Sequence, residues 1–450
     1  MGPLLACWRQ AWQQPGIHRQ IWGLALPMIL SNLSVPLVNL TDTAIVGHLP
    51  GSHQLGAVAV GATAYEVLPG ILIFLRMGTT GFAAQAAGRC EGGPLRQILA
   101  QALLLGLGLG LLLALLAAPL AQPLLHSMQA SAGLQLQAEE YFRLRLYGLP
   151  AALTSCALIG WFIGAQNTRA PLVMLLATNA LNILLDLILV LGLDMGTRGA
   201  ALASVSAEWS GALLGLALTP AILRQYPGQT CWATLRQWYS WRPLLAVNRD
   251  ILLRSLILQA VFLLMAWQGA RLGDATVAAN ALLLNGLLLT AFALDGLAHA
   301  LEALSGHAIG AADARALRRI LLVTGCWAGL ASLGFALGFG LYGDLFIQLQ
   351  TDQPEVQQLA RIYLPWLAIL PLIAVWSYLL DGLFIAATRA REMRNAMLLA
   401  ALLALPVALL SQRLGNHGLW LSFISFMLLR GLCLGLEGWR LARADGWLRR

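Results

Sequence analysis

No lysine occurs anywhere in this sequence, so its 28 basic residues are all arginine. Charge of either sign is scarce: Asp, Glu, Lys and Arg make up 11% of 450 residues, against 59% hydrophobic. That is too little polar side chain to cover a water-soluble surface, which excludes a soluble domain and leaves a polytopic membrane protein. The net charge of +8 would point to nucleic acid in a soluble chain. Here the arginines sit mainly in short junctions between apolar runs, as at Arg89 and Arg96, Arg169, Arg315 to Arg319 and Arg389 to Arg394. That distribution reports membrane topology, and no nucleic-acid partner is expected. The six cysteines follow no paired or metal-ligand spacing, and Cys156 and Cys326 lie inside apolar runs. Neither a disulfide nor a metal site is expected. There is also no nucleophile elbow and no phosphate loop, so the sequence gives no support to an enzyme.

What is present is a series of apolar runs long enough for about twelve spans at roughly 20 residues per crossing, from 21–46 to 418–440. The fold class is all-α. Arginine marks alternate loops, which predicts both termini on the cytoplasmic side of the cell's inner membrane. The one long junction, 222–249, is rich in Trp and Arg and reads as an interfacial linker. It divides the chain into a first lobe, 1–221, and a second, 250–450.

The lobes are copies. Tyr141 matches Tyr363, Trp161-Phe162-Ile163 matches Leu383-Phe384-Ile385, and Gly88 matches Gly310, all at one offset of 222 residues. That interval holds six spans, an even number, so the copies are parallel repeats related by an axis along the membrane normal. Such repeats suit a site reached by alternating access.

The stretch Ile21 to Leu49 is the least comfortable in lipid. It carries Pro27, Pro36 and Asp42. Proline removes an intrahelical hydrogen bond and gives the helix a place to bend, and a carboxylate at membrane depth must be protonated, paired or wet. Asn39 lies one turn before Asp42. The fifth span adds Asn179, Asn182 and Asp186, spaced three and four apart and therefore on one helical face. Asp42 and Asp186 both fall toward the outer end of their spans. Two carboxylates in one low-dielectric cavity share protons and titrate as a unit. For Asn179 an interhelical hydrogen bond is the better explanation.

The second lobe carries a different polar line. Asp295, His299 and Glu302 follow one face of the eighth span, and Arg430 stands in the twelfth, where the offset puts Glu208 in the first lobe. Asp295, Glu302 and Asp381 are candidate partners for Arg430. An ion pair facing the lobe interior and a place on a proton path account equally for these residues. Glu66 and Arg76 in the second span are either paired inside the lobe or lining an entrance. Arg76 and Arg430 are the mid-span arginines, and the seventh span contains no acid.

Across nearly the whole chain these segments resemble the MATE (multidrug and toxic compound extrusion) transporters, in their DinF-like branch. The resemblance is carried by ALPMILSNLSVPLVNLTDTAIVGHL, LRMGTTGFAAQAAG, GWFIGAQNTRAP, NALNILLDLILVLGL, LDGLAHALEALSGHAIGA and LLDGLFIAATRAREMRN. It implies two six-helix lobes around a V-shaped cavity, and export of organic, often cationic and lipophilic small molecules against inward proton or sodium flow. It further implies a first-lobe cation site at Pro27, Asp42, Asn182 and Asp186. The sodium-coupled branch uses a seventh-helix Glu with a tenth-helix Asp; Asp381 matches the second of these, and the first is missing. The expectation is therefore a monomeric, proton-coupled multidrug antiporter without a cofactor, in which protonation of Asp42 and Asp186 and bending of the first helix form the switch. A sodium-coupled exporter and a flippase for a lipid-linked precursor are the alternatives.

Overall fold

The structure is a computed structural model that describes residues 12–47, 52–126, 132–229, 232–444 and 446–448, without the side chains of 35, 37–47, 52–55, 71, 124–126 and 132. Every regular element among these residues is helical. Leu- and Ala-rich runs favour helix, and in hydrocarbon a helix satisfies each backbone N–H and C=O within its own segment.

In chain order the elements are α1 Pro15–Gly47, α2 Ser52–Ile71, α3 Phe74–Gly88, α4 Gly92–Ala117, α5 Ala121–His126, α6 Ala132–Leu146, α7 Leu149–Gly164, α8 Arg169–Asp186, α9 Gly196–Leu223, α10 Trp232–Leu235, α11 Trp238–Ala270, α12 Asp274–Gly310, α13 Ala314–Gln348, α14 Pro354–Ala386, α15 Ala390–Leu410 and α16 Asn416–Arg443. A π-helical turn, Leu187–Gly192, continues α8. Among the described residues ten helices are long and apolar enough to cross a membrane, α2 and α3 together forming one of them. The pair α6 and α7, bent by 47° at the break, brings the number to eleven. α1 has 33 residues, ample for a crossing at about 1.5 Å per residue. Each of the twelve expected spans overlies one of these helices. Leucines such as Leu115 and Leu341 are 74% exposed, an apolar surface that belongs in lipid.

The repeat is written into the backbone. Cys90 and Ala312 both turn left-handed, at φ 56° and 55°, and each is followed by an extended residue, Glu91 or Asp313, that caps the next helix. Gln166 and Thr388 also turn left-handed, at φ 59° and 54°. All four ends close alike: the left-handed residue bonds three positions back and its successor five back, as Cys90 N–H to Ala87 and Glu91 N–H to Ala86, matched by Ala312 to Ile309 and Asp313 to Ala308. This double closure satisfies carbonyls that a helix end otherwise leaves open. The halves differ where the first is interrupted. α12 and α14 run unbroken where α2–α3 and α6–α7 each break, beside Pro69 and Gly148.

By internal contacts the chain forms two compact units, one of residues 1–29 with 246–450 and one of 30–245. The divides fall inside α1 and α11, so the start of each helix belongs to the unit built mainly from the other half. Residues 222–249, expected as a linker, hold α10 and the start of α11. The larger core, in the first-named unit, is Leu283, Leu287, Leu367, Leu370, Trp420, Phe423, Phe426 and Met427 among others. In the same unit a Cβ on Gly296 would collide with Ile29 and with the Ala25 carbonyl, so α1 and α12 meet backbone to backbone. The other unit centres on Leu95, Leu158, Trp161 and Phe162, with the Trp161 indole N–H donating to the Leu95 carbonyl at 3.0 Å.

Candidate functional site

The fifth-span triad lies on α8 and is partly buried as its spacing predicts. Asn182 and Asp186 are 8% and 2% exposed, and the Asn182 amide Nδ2 donates to Asp186 Oδ2 at 3.0 Å. One turn earlier Asn179 Nδ2 donates to Ser34 Oγ of α1 at 2.9 Å, and Ser34 in turn donates to the Ser31 carbonyl at 2.7 Å. Asp186 is the last α-helical residue before the π-helical turn, the kind of widened turn found inside α-helices at functional sites. α8 therefore presents a buried carboxylate with its own amide donor, and α1 touches the same face through Ser34.

Pro27 and Pro36 lie within α1, both half-buried, and fall on opposite sides of the divide between Ile29 and Leu30. The side chains of Asn39 and Asp42 lie outside the described residues, although the α1 backbone runs through both. Glu66 is exposed on α2 and Arg76 half-buried on α3.

Glu208, on α9, joins a compact polar cluster of its unit. Arg145 of α6 meets Glu208 Oε1 at 3.0 Å and lies over the Tyr65 ring at 4.1 Å, while the Tyr65 hydroxyl donates to Glu208 at 3.4 Å. A Cβ on Gly148 would overlap the Glu208 carboxylate, so the break between α6 and α7 makes the space this carboxylate fills.

The second-half charges meet in the other unit. Arg430 Nη2 and Arg254 Nη2 both bond Asp381 Oδ2, the Arg254 contact at 3.1 Å. Arg254, Asp381 and Arg430 are 4%, 7% and 2% exposed. Asp295, half-buried on α12, acts electrostatically on Arg254 and on Tyr378. Glu302 pairs with His299 at 3.4 Å along α12. Of the three candidate partners for Arg430, Asp381 is bonded to it.

Two expectations are corrected here. The seventh helix does contain an acid: α11 begins at Trp238, which places Asp250 inside it, 5% exposed and paired with Arg394 at 2.7 Å. Arg76 and Arg430 are also joined by Arg145 and Arg254 as arginines within spans. Both fall within the expected spans 141–164 and 250–270, close to their starts, where they resemble the basic flanks that mark cytoplasmic loops. A polar residue of opposite sign at a compatible height, Glu208 for Arg145 and Asp381 for Arg254, was the signal available.

Among the described residues no group of three or more His, Cys, Asp or Glu side chains forms a metal site. The buried polar groups pair with one another and with amide donors, an arrangement able to hold or release a proton and to bind a small cation through carboxylate oxygen.

The MatE family model matches residues 27–188 and 251–410, two stretches spaced as the repeat requires. The chain is 46% identical over 431 residues to the DNA damage-inducible protein F of Escherichia coli K12, covering 95% of this chain and 94% of that protein. Its fold matches the crystal structure of MATE in the bent conformation, with a TM-score of 0.86 at 19% identity and 96% of both chains covered. It also matches MATE in the straight conformation, with a TM-score of 0.83 at 20% identity over 96% and 97%. The chain belongs to the MatE family of multidrug and toxic compound extrusion transporters, and is a membrane transporter rather than an enzyme.

Proposed function

We propose that this protein exports lipophilic, often cationic organic compounds in exchange for protons, with Asp42 and Asp186 as the protonatable pair. The observation that carries the reading is the buried Asn182–Asp186 pair at the start of a π-helical turn, on a helix tied to α1 through Asn179 and Ser34. A carboxylate buried at membrane depth beside a neutral amide is costly to keep charged, which suits a group that takes up and releases a proton or a cation. Asp42 stands on α1 beyond Pro36. Bending at Pro27 and Pro36 couples the protonation of the pair to alternating access, a reading supported by the existence of bent and straight forms among the similar structures.

The choice of proton over sodium is supported by the second half. Asp381 is already bonded to two guanidiniums, Arg254 and Arg430, and a carboxylate so neutralised has little attraction for another cation. The protein acts as a monomer in the inner membrane, with twelve spans in halves 1–221 and 250–450, the segment 222–249 between them, and both termini cytoplasmic.

The test is the pH dependence of substrate binding in Asp42→Asn and Asp186→Asn, together with vesicle efflux driven by a proton or a sodium gradient. Loss of pH dependence in either variant, with efflux driven by protons, is the expected result. Unchanged pH dependence in both, or efflux that follows sodium alone, overturns the reading.

A further inference from the structure

The starts of α1 and α11 are fastened by related contacts. At α1, His18 Nε2 bonds the Trp12 carbonyl at 2.7 Å and Nδ1 accepts the Trp327 indole N–H of α13 at 3.0 Å. Trp12 and Trp22 pack on Trp327 with ring centroids 5.5 and 5.3 Å away. At α11, Ser240 Oγ donates to the Thr234 carbonyl at 2.8 Å, and Gln101 of α4 donates to the Ser240 carbonyl at 3.1 Å. Trp12 and His18 become Thr234 and Ser240 at the repeat offset, and α4 and α13 are the matching helices. Each fastening holds the first helix of one half on the third long helix of the other, inside one compact unit. The two differ in chemistry: one uses an imidazole, the other a hydroxyl.

A carbonyl can only accept and an indole N–H can only donate, so His18 is held as the neutral tautomer with its proton on Nε2. Protonation puts an N–H on Nδ1, facing the indole N–H across 3.0 Å, and the bond to Trp327 is lost. No acid precedes Asp42 on α1, and none lies between Asp313 and Asp344 along α13. The other charged or titratable groups on these elements are Arg19, exposed beside His18, Arg315, Arg318 and Arg319 at the start of α13, Cys326 next to Trp327, and Tyr342 toward its far end. On α12, which meets α1 at Gly296, they are Asp274 at its start, Asp295, His299, Glu302 and His307, with Glu302 turned to His299.

We propose that His18 is a positioning residue for α1: neutral, it fastens the start of the helix to α13, and protonated, it lets go, while Ser240 keeps α11 fastened at every pH. The inference stands apart from the role of Asp42 and Asp186. Histidine is the side chain suited to change charge between pH 5 and 8, so a fall in pH on the side of the membrane that holds His18 would release the first helix from that end.

Hydrogen exchange of the full-length protein in lipid nanodiscs at pH 5 and pH 8, corrected for intrinsic rates, reads the fastening directly. Wild-type protection over residues 15–24 is expected to fall about tenfold at pH 5, the scale of one lost hydrogen bond, while residues 238–246 do not change. His18→Gln keeps a donor and an acceptor but cannot titrate, and should stay protected at both pH values. Trp327→Phe should lack the protection at both. The drop should persist in an Asp42→Asn, Asp186→Asn background, which separates this proposal from the coupling mechanism. Wild-type protection independent of pH, a His18→Gln variant that loses protection as the wild type does, or disappearance of the drop in the Asp-to-Asn background each overturns the proposal.

Discussion

Glu208 and Arg430 occupy the same point of the repeat, on α9 and α16, with opposite charge, and each is closed by an ion pair inside its own unit. Glu208 meets Arg145 at 3.0 Å, and Arg430 meets Asp381. The partners come from matching helices, α6 and α14, but from different heights: the place of Arg145 is taken by Leu367 in the second half, and that of Asp381 by Ile159 in the first. Duplication preserved the helix pairing while the chemistry that fills it was built separately. A single offset therefore predicts the backbone of one half from the other and fails for its charges.

Breaking the first of these pairs tests its role. Glu208→Leu leaves Arg145 buried without its carboxylate, which is expected to cost about 3–5 kcal/mol, whereas Arg145→Leu with Glu208→Leu should recover most of that loss. Thermal unfolding of the purified protein in detergent measures both. A double variant as unstable as the single would mean that the pair itself contributes little and that the leucines are simply misfitted.

The helical architecture and the repeat were legible because both are carried by long-range regularities, apolar runs and one recurrent interval. So was the Asn182–Asp186 pair, since a spacing of four puts both side chains on one face of any α-helix. Arg254 was not. It lies five residues after Arg249, near the start of the expected span, and resembles a cytoplasmic flank, and its burial depends on Asp381, 127 positions along the chain, arriving beside it. Contacts between distant helices leave no local period to read. The same holds for His18 and Trp327, whose pairing depends on how α1 lies on α13.

The three polar residues of α8 should separate on substitution. Asn179 serves as a link between helices, so Asn179→Ala is expected to cost only about 0.6 kcal/mol and to leave dye efflux near wild type. Asn182→Ala removes the donor to Asp186 Oδ2 inside a buried site, a penalty of about 1–3 kcal/mol. Efflux of a lipophilic cationic dye from vesicles should fall roughly tenfold in Asn182→Ala. Equal losses in the two variants would count against a special role for Asp186.

Gly148→Ala should be disruptive for one local reason. The new Cβ would overlap the Glu208 carboxylate and push it away from Arg145, an overpacking cost of about 1–3 kcal/mol. Glu208→Asp, one methylene shorter, should restore part of the stability in the double variant. If Glu208→Asp worsens Gly148→Ala instead, strain in the α6–α7 break rather than the displaced carboxylate limits stability.

Sodium gives the sharpest distinction between the halves. With Arg254 and Arg430 both on Asp381 Oδ2, the second half carries its own cations. Replacing choline with sodium at constant ionic strength should therefore leave the wild-type melting temperature unchanged, whereas a specific site filled at about 100 times its Kd would stabilise the fold by roughly 2.7 kcal/mol. Asp381→Asn should cost about 3–5 kcal/mol at either cation, because it leaves two buried guanidiniums facing an uncharged amide. A sodium-specific rise in the wild type that vanishes in Asp381→Asn would show that Asp381 binds the ion despite its arginines. A rise that vanishes in Asp186→Asn instead would move sodium to the first half, at the carboxylate held by Asn182.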